Sequence, residues 1–289
     1  MLIPLLSVLA AMVSIQAGAA LAKTLFAALT PEGTTALRLV FATAILFVVL
    51  RPWRDLAWLR RPGAFRGLLL YGASLGAMNL LFYISLRGLP LGIAVAIEFL
   101  GPLTVAVLST RRAIDFAWIA LAVAGMVLLL PWSASAAPLD PWALLAAFGA
   151  ATAWALYIVF GHRLGKHTHG QAFSSVALGM GVASLVAAPV GVATAGPALL
   201  ELHWWPAALG VALLSSAIPY PLEMSALQKL PARTFGILLS LEPVLAALAG
   251  FVILGERLTA TQWFAIASII IASAGAAASA RREMQPDPV

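Results

Sequence analysis

Long apolar stretches separated by short polar breaks run along the whole chain. Each stretch holds roughly 18 to 25 residues, the length that crosses the hydrocarbon core of a bilayer as an α-helix. The chain contains ten of them, and the polar breaks set their ends. The pattern therefore predicts an all-α membrane protein with ten transmembrane helices, at 4–28, 32–50, 66–86, 91–110, 114–131, 140–161, 171–195, 205–227, 234–254 and 260–280.

Composition and charge fit this interpretation. The chain is 62% hydrophobic and 10% charged, whereas soluble domains carry about 25% charged residues. With both termini in the cytoplasm, thirteen of the seventeen Lys and Arg residues fall in cytoplasmic loops or tails, as the positive-inside rule favours. The net charge of +6 then follows from topology, and we expect no nucleic-acid partner.

The two halves of the chain resemble each other. The segment LRGLPLGIAVAIEFLGPLTVAV at 86–107 aligns without a gap with LQKLPARTFGILLSLEPVLAAL at 227–248, an offset of 141 residues. Five spans in each half would insert the second half upside down relative to the first, an arrangement found in secondary transporters that bind substrate near the midplane. We predict two inverted five-helix repeats at 1–131 and 138–280, joined by a linker at 131–141, and a short cytoplasmic tail at 281–289.

One carboxylate, Glu98, stands inside the apolar fourth span. An ionised carboxylate near a helix centre costs roughly 2.5–3.5 kcal/mol on insertion scales, so its side chain should face the bundle interior or a cavity. Burial also lets a carboxyl group exchange a proton near neutral pH. Pro102 would free the Glu98 carbonyl four residues earlier and kink the helix. The alternative is a protonated glutamate that serves packing alone.

Two further acids lie beside prolines in the second half. Glu242 precedes Pro243, which is the repeat partner of Pro102, although Glu242 itself aligns with Gly101 and not with Glu98. Glu223 follows a break that we expect in the eighth span. We predict proton coupling through Glu98, Glu242 and Glu223, and helix kinks at Pro102, Pro243, Pro219 and Pro221. Helix termination remains an alternative for Glu242, and interfacial solvation remains one for Glu223.

Arg38 is the only arginine placed well inside a predicted span. Its planar guanidinium suits a substrate carboxylate or a bridge to Glu98, and snorkelling to the interface is the alternative. Lys23, at the outer end of its span, is expected to be interfacial. We predict a substrate-binding set of Arg38, Glu98, Gln16, Asn79, Tyr83, Trp154 and Tyr157, although interhelical hydrogen bonds or an aromatic belt would explain the last five equally well.

Several catalytic patterns fail in context. GASLG at 72–76 matches the serine-hydrolase pattern but lacks a strand-turn-helix setting, so we interpret it as a helix-packing face. All four histidines fall in loops or at span ends, no cysteine is present, and no Walker loop is encoded. We therefore predict no enzymatic activity, no metal site and no cofactor.

At this point the chain resembles the EamA family of the drug/metabolite transporter superfamily, through LSLEPVLAALAGFVILGERLTATQ at 239–262. Within that family it is most similar to the bacterial threonine/homoserine exporters. The segments that carry this likeness are SIQAGAALAKTLF at 14–26, TALRL at 35–39, GAMNLLFYISL at 76–86, PLGIAVAIEFLGPL at 90–103 and LPARTFG at 230–236.

The resemblance implies an exporter of small neutral amino acids in the bacterial inner membrane, driven by proton antiport through alternating access. Its partners would be a small amino acid, protons and the lipid bilayer, with a homodimer left open. A zwitterion offers a carboxylate to Arg38 and an ammonium to Glu98, with aromatic faces available for cation–π contact. The alternative is an exporter of a different small metabolite with the same fold.

Overall fold

The computed structural model of the chain is built from α-helices, and no strand occurs in the described residues, 2–54, 56–108, 113–129, 140–168, 172–227 and 238–279. We number the helices in chain order. They are α1 (Leu2–Thr24), α2 (Phe26–Leu50), α3 (Ala64–Ser85), α4 (Leu91–Glu98), α5 (Leu100–Leu108), α6 (Ala113–Leu129), α7 (Pro141–Thr168), α8 (Ala172–Ala195), α9 (Trp205–Ala212), α10 (Pro219–Leu227), α11 (Glu242–Leu254) and α12 (Ala260–Ser279).

Six helical segments in the described part of the chain are long and apolar enough to cross a membrane. They are Ile3–Thr24, Phe26–Leu50, Ala64–Ser85, Pro141–Thr168, Phe173–Leu200 and Leu202–Glu223. Shorter apolar helices coincide with the other four predicted spans. Large hydrophobic side chains such as Val48, Leu185 and Val252 are about three-quarters exposed, at 69%, 73% and 75%. Such outward-facing apolar surface is what a bilayer covers, and the chain is a multi-pass membrane protein.

Helices meet closely where one of them carries glycine. A Cβ added at Gly76 would lie 2.8 Å from the Ala183 carbonyl oxygen, and one at Gly72 would lie 2.8 Å from the Gly179 carbonyl oxygen. These contacts bring α3 against α8, in agreement with the helix-packing interpretation of GASLG. Gly92 of α4 similarly leaves room for the Ala247 backbone of α11, with 2.8 Å between an added Cβ and the Ala247 Cα. The two halves of the chain therefore touch backbone to backbone.

Local breaks interrupt the helices near prolines. In α2, Thr30 has a positive φ of 57° just before Pro31. Its hydroxyl accepts the Gly33 N–H at 3.2 Å and so caps the long remainder of the helix. The fourth predicted span divides at Phe99, between α4 and α5, three residues before Pro102. A turn at 240–241 precedes α11 at the aligned position of the second half.

Part of the sequence-based interpretation lies outside the described residues. This applies to most of the linker at 131–141, to the tail at 281–289, and to the loop that carries the repeat partner of Pro90. The basic residues that support the predicted orientation and lie outside the described residues are Arg111, Arg112, Lys229, Arg233, Arg281 and Arg282.

Candidate functional site

A cavity of about 600 Å³ lies among the helices. All seven residues of the predicted substrate-binding set line it, and so do Glu242, Glu223 and Pro102. These residues come from α1, α2, α3, α4, α5, α7, α10 and α11. The fold thus brings the predicted site residues of both halves to one space, and their roles there stay a prediction.

Arg38 is buried in the wall of this cavity and is 2% exposed. Its Nη1 donates to Oγ of Ser216 at 2.9 Å and to Oγ of Ser215 at 3.2 Å. Its Nη2 donates to Oδ1 of Asn79. The guanidinium carbon lies 4.7 Å from the centre of the Tyr83 ring, within cation–π range. Arg38 is therefore held by neutral groups.

The guanidinium keeps hydrogen-bonding capacity for a ligand. Arginine has five N–H donors, and three of them make hydrogen bonds to described residues. Nε has no partner but is fully covered by protein atoms, so the second N–H of Nη2 is the donor left for a ligand. No carboxylate of the described residues forms an ion pair with it. A buried cation without an acidic partner is unusual. The remaining Nη2 donor and the positive charge of the guanidinium suit a carboxylate that enters the cavity.

Glu98 shares the cavity with Arg38, close enough for their charges to interact. It is the last residue of α4, directly before the break at Phe99, and its side chain is nearly buried at 7% exposure. The bridge to Arg38 that the sequence left open is not formed as a direct ion pair.

Glu242 and Glu223 add two carboxyl groups to the same lining. Glu242 begins α11 with Pro243 behind it, and Glu242 is close enough to Glu98 and Glu223 for electrostatic interaction. Three carboxyl groups in the lining of one cavity cannot all be ionised in an apolar setting without strong repulsion. The arrangement is suited to holding protons.

The offset between the acids of the two halves has a steric cause. Gly101, which aligns with Glu242, lies against the α7 backbone, where an added Cβ would collide with the Ala151 carbonyl oxygen. No side chain can stand at position 101. The carboxyl group of the first half is instead supplied by Glu98, about one helical turn earlier.

Aromatic side chains form much of the remaining wall. Trp154 packs edge-on against Phe99, with ring centres 5.6 Å apart. Tyr157 stacks on Tyr71 at 4.9 Å, and their hydroxyl groups are 3.3 Å apart. Tyr83 packs against Phe26 at 5.7 Å. These rings present faces that could receive an ammonium group.

A polar network joins the two halves of the chain at one end of the helix bundle, and its residues lie outside the cavity lining. Gly255 ends α11 in the left-handed conformation, with φ of 68°, and the turn that follows aims Glu256 at α1 and α4. Lys23 Nζ lies 2.6 Å from Oε1 of Glu256 and donates to the Leu89 carbonyl at 2.9 Å. Oε2 of Glu256 accepts the first N–H of α4, from Leu91, at 2.8 Å. We call this set the Lys23–Glu256 network.

The cavity extends instead toward the opposite helix ends. Its lining reaches Gly165 and Thr168 at the end of α7 and Ser175 at the start of α8. It includes His162, which we expected at a span end. The structure places His162 inside α7, because this helix continues to Thr168, beyond the predicted limit at 161.

Sequence reasoning missed several residues of this site. Ser215 and Ser216 contact Arg38 but carry no signal in an apolar span, where serine is common. Tyr71 and Tyr220 line the cavity and were not singled out. The proline at 219 marks an irregular helix near both serines and was the available hint. As far as the structure describes the chain, no cluster of three or more His, Asp or Glu side chains could hold a metal ion.

The chain is similar to known transporters. Residues 141–277 match the model of the EamA-like transporter family. The chain is 49% identical to the threonine/homoserine exporter RhtA of Salmonella typhimurium strain SL1344 over 284 residues, which cover 98% of this chain and 94% of that protein. It is 48% identical to RhtA of Escherichia coli K12 over 282 residues, covering 97% and 93%.

A solved crystal structure shares the fold. It is 21% identical in sequence, covers 96% of this chain and 99% of its own, and superposes with a TM-score of 0.62. At that identity the likeness concerns the arrangement of helices alone.

Proposed function

Because the chain belongs to the EamA-like transporter family, we propose that it exports small neutral amino acids, threonine and homoserine among them, in exchange for protons. One observation carries this proposal. Arg38 and Glu98 line the same cavity, and they form no ion pair with each other. A zwitterion carries the two complementary charges at its own ends. It can place its carboxylate at the Arg38 guanidinium and its ammonium at Glu98.

Proton coupling follows from competition for the same carboxyl group. The Glu98 carboxylate can hold either the ammonium group of the substrate or a proton, but not both at once. Protonation at the outer face would release the amino acid, and deprotonation at the inner face would restore the site. Glu242 and Glu223, on the second half of the chain, would pass protons between Glu98 and the open end.

The arrangement proposed for the fold is ten transmembrane helices in two inverted five-helix repeats. The way in which helices pair supports it. Exchange of the two halves would map α1 onto α7, α2 onto α8, α3 onto α9–α10, α4–α5 onto α11 and α6 onto α12. Three extensive helix contacts, α2 with α8, α4 with α11 and α6 with α12, would each remain the same contact after this exchange. The contact of α3 with α7 would become that of α1 with α10, and the reverse.

Alternating access would rock one repeat against the other around this site. With the predicted orientation, the open end of the cavity faces the cytoplasm, because Thr168 and Ser175 lie at the inner helix ends. The Lys23–Glu256 network then closes the outer side. The conformation corresponds to the inward-facing state, ready to load an amino acid from the cytoplasm.

The location proposed is the bacterial inner membrane, with both termini in the cytoplasm. An exporter of metabolites takes its substrate from the cytoplasm, and the positive-inside distribution of Arg and Lys gives the same orientation. Relatives of this chain are transporters, and we assign no enzymatic step to it. A homodimer is compatible with the proposal but is not needed to complete the cavity.

A second candidate is export of a larger metabolite by the same mechanism. It is favoured by the volume of about 600 Å³ and by the aromatic side chains of Tyr71, Tyr157 and Trp154 in the lining. Such a cavity falls in the range of roughly 300–1,000 Å³ that accepts drug-sized ligands.

Counterflow in proteoliposomes separates these candidates. Vesicles loaded with unlabelled threonine should accumulate labelled threonine in a saturable manner, and homoserine should compete more strongly than aromatic or sugar-linked metabolites. Liposomes without protein give the background. An absence of saturable threonine exchange would overturn the amino-acid proposal, and exchange of a larger metabolite would then identify the second candidate.

A further inference from the structure

The serine pair next to Arg38 lies on an irregular turn between α9 and α10. The segment Leu213–Ala217 forms a π-helix, in which the Ile218 N–H bonds to the Leu213 carbonyl five residues back, at 3.1 Å. The next residue is Pro219, which has no N–H to offer the following carbonyl. Such π-turns are frequent at functional sites.

Helix α1 supports this turn from the other side. The Ser14 hydroxyl donates to the Leu214 carbonyl at 2.6 Å. A Cβ added at Gly18 would lie 2.9 Å from the Ser215 backbone nitrogen, so the two backbones are in close contact. The Leu214 carbonyl, to which Pro219 cannot donate, thus accepts a hydrogen bond from α1. This bond and the close contact fix the position of the turn relative to α1.

The turn brings both serine hydroxyl groups to the same guanidinium nitrogen. Ser216 is fully buried, at 0% exposure, and is not part of the cavity lining. Its Oγ nevertheless accepts a hydrogen bond from Arg38 Nη1 at 2.9 Å. Ser215 lines the cavity and also donates to the carbonyl of Val211 at 2.7 Å. A ligand in the cavity meets Ser215, whereas Ser216 can act on it only through Arg38.

Building on the proposed function, we propose that Ser216, with Ser215, is a positioning residue that sets the carboxylate specificity of the site. Neutral hydroxyl groups hold the guanidinium in place without neutralising its charge. An acidic partner would orient it equally well but would compete with the substrate carboxylate. The serine pair therefore keeps Arg38 both ordered and available for an anionic group.

The test compares Ser216→Ala with Ser85→Ala in proteoliposome exchange. Ser85 is equally buried, at 0% exposure, and among the described residues its hydroxyl bonds only to the Phe82 carbonyl of its own helix, at 2.6 Å. Loss of one oriented hydrogen bond to Arg38 should raise the KM for threonine about threefold to tenfold, with little change in maximal rate. Ser85→Ala should leave the KM near that of the wild type.

A second measurement distinguishes positioning from general packing. Threonine amide lacks the carboxylate, so the ratio of its KM to that of threonine reports recognition by Arg38. Ser216→Ala should reduce this ratio and Ser216→Thr should restore it. In an Arg38→Lys background, removal of the Ser216 hydroxyl should have no further effect on the ratio. Ser216→Cys keeps the side-chain size with a weak acceptor and should behave like alanine.

The outcomes separate this inference from the proposal on which it rests. Wild-type protein without saturable threonine exchange would refute both. If the wild type exchanges threonine but Ser216→Ala and Ser216→Cys match Ser85→Ala in KM and in the amide ratio, the positioning role is wrong and the exporter proposal stands. Melting temperatures in detergent should agree within a few degrees among the variants that are compared.

Discussion

Replacement of Glu256 by glutamine should open the outer side of the transporter. The carboxylate contacts Lys23 Nζ at 2.6 Å and the Leu91 N–H at 2.8 Å, and the two charged side chains are 23% and 17% exposed. Glutamine retains an acceptor for Leu91 but removes the charge. A hydrogen bond to a charged group contributes about 1.5–3 kcal/mol, whereas an exposed ion pair contributes roughly 0–1 kcal/mol.

A pair that is about one-fifth exposed falls between these limits, and we expect the closed state to lose about 1–2 kcal/mol. Since 1.4 kcal/mol corresponds to a factor of ten, the outward-open population should rise about fivefold to thirtyfold. Glu256 also caps the N-terminus of α4, two turns before Glu98. Its release would loosen the helix that carries Glu98.

Thiol labelling can measure this change because the chain has no cysteine. Met78 lines the cavity, so Met78→Cys introduces a single thiol there. A membrane-impermeant maleimide added from the outside should label it faster, by the same factor, when Glu256→Gln is present. Glu201→Gln serves as control, because Glu201 is exposed and only approaches His203 at 3.7 Å. Equal labelling rates in the two backgrounds would refute the gating role.

Three further predictions address binding, packing and pH. Arg38→Lys keeps the charge but loses the planar guanidinium, and the KM for threonine in counterflow should rise at least tenfold. An unchanged KM would show that Arg38 does not bind the substrate. Gly101→Ala should lower the melting temperature because the added Cβ would collide with the Ala151 carbonyl, at a cost of about 1–3 kcal/mol. Gly165→Ala should not lower it, because its Cβ would meet no atom of the described residues within 4 Å. The KM for threonine should rise as the pH on the substrate side falls, because protonated Glu98 cannot hold the ammonium, and a KM that is constant with pH would contradict the competition.

The sequence was sufficient to predict features that depend on the free-energy cost of a single residue in its own helix. Glu98 and Arg38 are expensive in an apolar span, so their placement at an internal cavity could be anticipated, and both line it. The membership of the EamA family, inferred from the LEP and GERLT segments, is confirmed. The helix break at Phe99 follows from Pro102, since a proline leaves the turn before it without a hydrogen bond.

Contacts between the halves could not be predicted in this way. Lys23 meets Glu256 across 233 residues of sequence, and its position at a helix end indicated only an interfacial residue. Ser216 reaches Arg38 across 178 residues through a π-turn, which leaves no trace in the hydrophobic pattern. His162 entered the cavity lining because α7 continues past the last apolar residues, where charged side chains suggested a loop.

The most direct test of the central claim is threonine uptake into inverted membrane vesicles, with and without an imposed proton gradient, for the wild type, Glu98→Gln and the control Glu201→Gln. The account predicts that acidification of the vesicle interior stimulates saturable uptake by the wild type and by Glu201→Gln, and that Glu98→Gln loses this stimulation. Gradient-stimulated uptake by Glu98→Gln at the wild-type rate would contradict coupling through the shared carboxyl group.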